Sequence, residues 1–233
     1  MSIMGPIFLL YASIAFLWLW REGIAHAPWV QEGEVLTSHR RSGRTGAGKT
    51  GLIVFLAVAL CLFSLMCAAF FMRMEEPDWQ LPPTPLILWT NTLSLIVSSA
   101  ALQIAYSAAR RGQIARTRAF LVACMLASLV FLLGQIWAWR ELVSRGLCAS
   151  ENPANAFFFL LTGAHGLHFI GGFVALVGVT GPTLHRIESE IMTARLGLCA
   201  IYWHFLLVVW LLLFMLISGF TDNVGVICRR LLY

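Results

Sequence analysis

Long apolar runs, separated by short polar segments, dominate the hydrophobic pattern of this chain. A helix needs about 20 mainly apolar residues to cross a hydrocarbon core roughly 30 Å thick. Polar and apolar residues do not alternate with the period of two that a membrane β-barrel strand requires. The chain is therefore predicted to be an all-α, polytopic membrane helical bundle. The pattern predicts six transmembrane helices, at Ile3–Trp20, Gly51–Met72, Pro85–Ala109, Arg118–Trp139, Asn155–Thr180 and Leu196–Thr221.

The amino-acid composition agrees with this class. Of the 233 residues, 59% are hydrophobic and only 12% are charged, whereas a soluble domain has about 25% charged residues. The first span lacks basic residues before it, and no small-x-small cleavage motif follows Trp20, so we expect it to be a retained helix. The chain then divides into residues 1–48, a transmembrane helix with a basic loop, and residues 49–233, a five-helix membrane domain.

Lys and Arg are concentrated in alternate loops. Eleven of the 16 follow the first, third and fifth spans, and five lie on the other side. Because basic loops stay in the cytoplasm, both termini are expected on the outer side of the membrane. This asymmetry accounts for the net charge of +5, so no nucleic-acid partner is predicted.

One segment matches the pattern of a phosphate-binding loop, G-x-x-x-x-G-K-T. It runs from Gly43 to Thr50 and reads GRTGAGKT. Such a loop works between a buried strand and the helix that follows it in a soluble sheet. Here a polar loop precedes the motif and a membrane span follows it. We interpret it as a basic linker and predict no nucleotide partner.

The polar residues inside the spans are mostly uncharged and small. The spans contain no Asp, and no Glu away from an end, which disfavours an independent proton-coupled carrier, because such carriers rely on buried carboxylates. Ser94 and Ser98 are four residues apart, the spacing that lets two helices approach closely. We predict helix-packing roles for Asn91, Ser94, Ser98, Gln135, Gly163 and Gly166.

Three histidines are the candidate functional residues. His165 and His168 lie near the middle of the fifth span, three residues apart and hence on one face, and His204 follows Trp203 in the last span. A polar side chain at this depth is costly unless it has a partner. Three hypotheses compete: ligands of a metal or haem iron, polar contacts to lipid or a neighbouring helix, and hydrogen-bonded interior residues.

The metal and haem hypotheses are the weakest of the three. Two histidines on one helix face cannot sandwich a haem, and no carboxylate or thiolate stands close in sequence to complete a metal site. We therefore predict no catalytic residue, cofactor or metal in this chain. Instead, lipid or subunit-interface contacts are expected for four residues: His165, His168, Trp203 and His204.

Four runs of sequence resemble, in order and spacing, subunit III of the haem-copper oxidases. They are LWTNT at Leu88–Thr92, with Ser98 and Ser99 after it; GQIWAW at Gly134–Trp139; TGAHGLHFIGG at Thr162–Gly172; and YWHF at Tyr202–Phe205, with Val209 and Trp210 after it. The resemblance covers roughly residues 49–220. It implies a five-helix core over residues 49–233, preceded here by one helix.

The resemblance also implies an accessory role in aerobic respiration, in a bacterial cytoplasmic membrane. Subunit III of this family is non-catalytic. It stabilises catalytic subunit I, binds phospholipid and supports proton uptake, while haem and copper belong to the partner subunits. Those roles, partners and bound lipid are accordingly expectations for this chain.

The chain lacks acidic residues that are common in the membrane spans of this family. A Ser-Glu pair is common in the family where this chain has Val58 and Ala59, and an acid is common where it has Leu207. The longer family members also have two helices before the core, whereas this chain has one predicted helix there. The missing acids keep a nitric oxide reductase subunit in view as an alternative. Two alternatives from other classes also stay open: a histidine-ligated membrane cytochrome or quinone enzyme, and a small transporter.

Overall fold

The computed structural model describes residues 42–74, 76–185 and 190–219, and five long helices account for most of them. There is no β-strand in these ranges, so the all-α fold is confirmed. The predicted first span, Ile3–Trp20, lies outside the described residues. The helices are α1 (Ser42–Met74), α2 (Ile87–Arg110), α3 (Ile114–Ser144), α4 (Pro153–His185) and α5 (Glu190–Ile217).

All five helices are long and apolar enough to cross a membrane. The five predicted core spans overlap these helices, but α1 begins nine residues before the predicted Gly51 and α5 begins six residues before the predicted Leu196. Helix α3 begins four residues before the predicted Arg118 and ends five residues after Trp139. The ends of this span were predicted from the apolar run alone. The helix continues past it because polar residues outside hydrocarbon can also be helical, and an i,i+4 ion pair between Glu141 and Arg145 supports its last turn.

A short turn joins α2 to α3. Gly112 ends α2 with a φ of 69°, a conformation that glycine adopts without strain. The backbone N–H of Gln113 then bonds the carbonyl of Ala108, which closes the turn into α3. At the opposite end, the Asn152 side chain donates to the carbonyl of Gln80 at 2.7 Å, joining the α1–α2 loop to the start of α4.

Helices α2 and α5 form the centre of the bundle, and α1 is peripheral. In the most apolar part of each helix, about half of the α2 and α5 residues are buried, against 17% for α1. Outward-facing residues of α1, such as Val58 and Leu65, are therefore exposed on the bundle surface. The largest fully buried side chains, which form the core, are Trp203, Trp210, Phe70, Phe131, Phe158 and Phe169.

Candidate site at the helix interfaces

A chain of hydrogen bonds at Ser98 joins α2, α3 and α5. The Trp203 indole N–H of α5 donates to the Ser98 hydroxyl of α2 at 2.8 Å. Ser98 in turn lies 2.8 Å from the hydroxyl of Ser128 on α3, which donates to the backbone carbonyl of Cys124 at 2.7 Å. All four residues are completely buried. One hydroxyl therefore ties α2 to both of its neighbours.

Two further indole groups repeat this arrangement. Trp210 of α5 donates to the Thr92 hydroxyl of α2 at 3.0 Å. Trp139 of α3 donates to the Thr162 hydroxyl of α4, also at 3.0 Å. Each threonine hydroxyl donates onward to a carbonyl of its own helix. Both the indole N–H and the hydroxyl are thus satisfied without water, as hydrocarbon surroundings require.

The α2–α3 contact carries two more polar links. Asn91 donates to Gln135 across the interface at 3.4 Å, and the Ser94 hydroxyl donates to the Ala127 carbonyl at 2.7 Å. A Cβ atom on Gly134 would overlap the Asn91 side chain, so glycine is needed for this close approach. The four predicted polar packing residues, Asn91, Ser94, Ser98 and Gln135, therefore all lie at this contact.

The glycines of α4 differ in their surroundings. A Cβ on Gly163 would make ordinary contact with Trp139 at 3.9 Å, and a Cβ on Gly166 would meet no described atom within 4 Å. The close approach on this helix is instead at Gly172, where a Cβ would overlap the ring of Tyr202. That tyrosine hydroxyl donates to the carbonyl of His168 at 2.8 Å, which fixes α5 against α4.

His165 lies in the interior of the bundle. It is completely buried, and neither ring nitrogen has a hydrogen-bond partner among the described residues. Its imidazole packs among aromatic rings from other helices, at centroid distances of 6.4 Å from Phe63, 5.9 Å from Phe131 and 5.2 Å from Trp210. Apolar and aromatic contacts therefore dominate its surroundings.

His168 lies one turn further along α4, at the edge of a cleft. Its Nδ1 is 2.8 Å from the Ala164 carbonyl, so the proton on that nitrogen is used within the helix. The ring also faces Phe55 and Phe63 of α1, at 6.1 and 5.3 Å between centroids. The two histidines of the motif thus share one aromatic neighbour, Phe63, but occupy different environments.

His204 lies on the outer surface where α2 meets α5. Its Nδ1 is 2.6 Å from the Ser99 hydroxyl, and its Nε2 is 3.1 Å from the Gln103 side-chain oxygen. The geometry fits a neutral imidazole that accepts from Ser99 and donates to Gln103. Both His204 and Gln103 are exposed on the bundle surface. The structure therefore separates this histidine from the other two.

These positions bear on metal and haem binding. Within the ranges described, no group of three or more His, Cys, Asp or Glu residues is placed to hold a metal ion. Both nitrogens of His204 are engaged by α2, and His165 and His168 lie on one helix, so the three imidazoles do not converge on a common point. Five further residues take part in these hydrogen bonds, and the sequence did not indicate that role for them: Ser128, Trp139, Thr162, Tyr202 and Trp210.

A cleft of about 680 Å³ opens between α1, α4 and α5. His168, Tyr202 and Trp203 are among the residues that line it, and the rest of the lining is mostly apolar. The glycines Gly171 and Gly172 and the small residue Ala175 keep the α4 wall flat. A volume of this size and apolar character suits an acyl chain or another elongated apolar molecule.

Comparison with known proteins identifies the family. The family model described as cytochrome c oxidase subunit III matches residues 3–221. The chain belongs to this family. The match begins within the predicted first span and includes all the helices of the core, so the resemblance inferred from the four motifs is confirmed over nearly the whole chain.

Curated relatives of this subunit III chain carry two kinds of name. A probable cytochrome c oxidase subunit 3 from Mycobacterium bovis is 34% identical over 192 residues, which covers 79% of this chain and 94% of the relative. A similarly named protein from Nocardia farcinica is 30% identical, covering 78% and 93%. A quinol oxidase subunit 3 from Bacillus subtilis is 27% identical, covering 70% and 82%. Together they indicate a subunit III of a haem-copper oxidase, in a multi-pass bacterial membrane protein.

Proposed function

We propose that this chain is a non-catalytic accessory subunit III of a bacterial haem-copper terminal oxidase. Family membership is the observation that carries this proposal. The geometry supports it, because the buried polar groups at Ser98, Thr92 and Thr162 are used in joining helices. The chain would stabilise the catalytic subunit I and so support its proton uptake. Haem and copper would reside in the partner subunits.

The proposed orientation follows the charge of the loops. The turn between α2 and α3 is basic and would face the cytoplasm. The opposite end carries Glu76 and Asp78, where Arg73 donates to Asp78 and holds the pKa of that carboxyl below its usual value of 3.8. This acidic end and both termini would face the periplasm. The first 48 residues would add one transmembrane helix and a cytoplasmic loop.

The cleft between α1, α4 and α5 is the proposed phospholipid site. Its apolar walls would receive an acyl chain, and Arg195 lies at the end of the bundle where α5 begins. Arg195 is exposed and precedes the cleft residues Leu198 and Cys199 by three and four positions, so it shares their helix face. A phosphate group at this end would therefore meet a guanidinium.

Substitution within the cleft tests the lipid proposal. Ala175→Trp fills the cleft, and Ala123→Trp is the matched control on the exposed surface of α3. Phospholipid phosphorus is measured per chain after purification in mild detergent. Filling the cleft should remove about one lipid per chain, whereas the control should retain it. Equal lipid content in the two variants would contradict the assignment.

Copurification tests the function itself. The tagged chain is isolated from its native membrane in mild detergent, and its partners are analysed by mass spectrometry and haem spectroscopy. The proposal predicts a haem-bearing oxidase subunit in stoichiometric amount and oxygen reduction by the complex. A complex that reduced nitric oxide but not oxygen, or a chain purified without haem-bearing partners, would refute it.

A further inference from the structure

Three buried residues contain most of the unpaired polar atoms of the bundle. Within the described part of the chain, six buried side-chain nitrogen or oxygen atoms have no hydrogen-bond partner. Four of them are Oδ1 of Asn91 on α2, Nε2 of Gln135 on α3, and both ring nitrogens of His165 on α4. All three residues are at most 5% exposed. Because an unpaired polar group is costly in hydrocarbon surroundings, the relative position of these residues matters.

The register of α3 against α4 places two of these residues opposite each other. Two contacts fix that register: Phe131 with Phe169, 4.6 Å between ring centroids, and the Trp139 indole with the Thr162 hydroxyl, 3.0 Å. The contacts follow in opposite order along the two helices, which are therefore antiparallel. Gln135 is four residues from each α3 member of these contacts, and the corresponding midpoint on α4 falls at residues 165 and 166. Gln135 therefore lies opposite His165.

Asn91 approaches Gln135 from the other neighbouring helix. Its amide donates to the Gln135 side-chain oxygen at 3.4 Å, which engages that oxygen and leaves the Nε2–H groups without a described acceptor. A neutral imidazole has one N–H and one unprotonated nitrogen, which accepts. One level of the bundle thus brings together donors on Gln135 and acceptors on His165 and Asn91.

The enclosure of these residues determines what can satisfy them. Neither an acyl chain nor a neighbouring subunit reaches side chains that are buried this completely, so the partner must be enclosed between the helices. A water molecule needs two to four polar partners and about 10–15 Å³ of probe-occupied space. The imidazole of His165 is loosely surrounded. Its ring centroid is 5.9–6.4 Å from those of Phe63, Phe131 and Phe169, whereas Phe131 and Phe169 are 4.6 Å apart.

We propose that His165, Gln135 and Asn91 bind one water molecule inside the bundle. The water accepts from Gln135 Nε2–H, and it donates to the unprotonated nitrogen of His165 and to Oδ1 of Asn91. It thereby links α2, α3 and α4 through three hydrogen bonds, the usual number for a buried water. The site is separate from the cleft between α1, α4 and α5, and it does not depend on which complex contains the chain.

Magnetisation transfer from water, measured by NMR, tests the site directly. The full chain, with ¹⁵N in its glutamine side chains, is purified in deuterated detergent micelles, and Gln135→Met assigns the Gln135 signals. Those signals should show a cross-peak to water in the natural sequence. His165→Phe should abolish it, because phenylalanine exceeds histidine by about the volume of one water. Gln103→Met, on the exposed surface of α2, is the control and should leave the cross-peak unchanged.

Unfolding in mixed micelles provides the second measurement. His165→Phe replaces the imidazole and the water together, whereas Gln135→Met removes the water and leaves the imidazole. His165→Phe should therefore increase the folding equilibrium constant about fivefold more in Gln135→Met than in the natural sequence, and equally in Gln103→Met and the natural sequence. Absence of the water cross-peak at Gln135, its persistence in His165→Phe, or equal effects of His165→Phe in the Gln135→Met and natural sequences would overturn the inference.

Discussion

The Ser98 hydroxyl joins α2 to both α3 and α5, so its removal is a direct test of the packing. Ser98→Ala removes one oxygen from a completely buried position without adding volume. The Trp203 indole N–H, 2.8 Å from that oxygen, then has no acceptor. Ser128 keeps its bond to the Cys124 carbonyl but loses its link to α2.

The expected cost follows from these contacts. A buried donor left unsatisfied costs about 1–3 kcal/mol, and interhelical hydrogen bonds in membranes contribute about 0.6 kcal/mol on average. We therefore expect Ser98→Ala to lower the free energy of unfolding by about 2 kcal/mol, or roughly 30-fold in the folding equilibrium. Most of this cost comes from the Trp203 indole N–H, because it stays buried without an acceptor after the substitution.

Equilibrium unfolding in mixed detergent micelles, followed by circular dichroism, measures this difference. Ser107→Ala is the matched control, because the Ser107 hydroxyl bonds only the carbonyl of Gln103 in its own helix. In a Trp203→Phe background the donor is gone, so Ser98→Ala should cost at least about 1 kcal/mol less than in the natural sequence. Equal costs for Ser98→Ala and Ser107→Ala, or no coupling to Trp203, would refute the reasoning.

Three other predictions follow from the same structure. Gly134→Ala should destabilise the bundle by about 1–3 kcal/mol through overlap with Asn91, whereas Gly166→Ala should not. Unfolding in micelles measures both variants, and equal effects would be inconsistent with the packing. His165→Phe should stabilise the bundle by about 1 kcal/mol, because the imidazole has aromatic neighbours and unpaired nitrogens. A marked loss of stability in the same assay would show that His165 has a polar partner within the protein. A carboxyl NMR titration should find the pKa of Asp78 below 3.8, returning toward 3.8 in Arg73→Gln. Because its folded pKa is lowered, the stabilisation by this pair is present above pH 3.8 and disappears as pH falls through the folded value; a titration unchanged by Arg73→Gln would disprove the link.

The fold was predictable because hydrocarbon allows few alternatives. An apolar run of about 20 residues in a membrane becomes a helix, since every backbone group must be satisfied within the segment. The existence and central parts of the five core helices were therefore predicted. The starts of α1 and α5 and both ends of α3 were not, because helical residues outside hydrocarbon have no apolar signal.

The site was only partly predictable, because its contacts join distant parts of the chain. The spacing of Ser94 and Ser98 identified a packing face, but their partners depend on how α2, α3 and α5 cross. Trp203 is 105 residues from Ser98, and Trp210 is 118 residues from Thr92. No local pattern pairs such residues.

The surroundings of His165 and His168 were also only partly predictable from the sequence. A separation of three residues correctly indicates one helix side, but it leaves an angular offset of about 60°. That offset places His165 among interior rings and His168 beside the cleft. Likewise, the glycine pattern of α4 does not show that Gly172, and not Gly166, is where α5 approaches closely.

The central claim is that the polar residues of this chain join helices, lipid and a partner subunit, while the reaction takes place elsewhere in the complex. Haem, iron and copper analysis of the purified complex, before and after this chain is stripped from it with detergent, tests that claim most directly. The account predicts that haem and metals stay with the remaining subunits and that the stripped chain carries none. Stoichiometric iron, copper or haem on the stripped chain would contradict it.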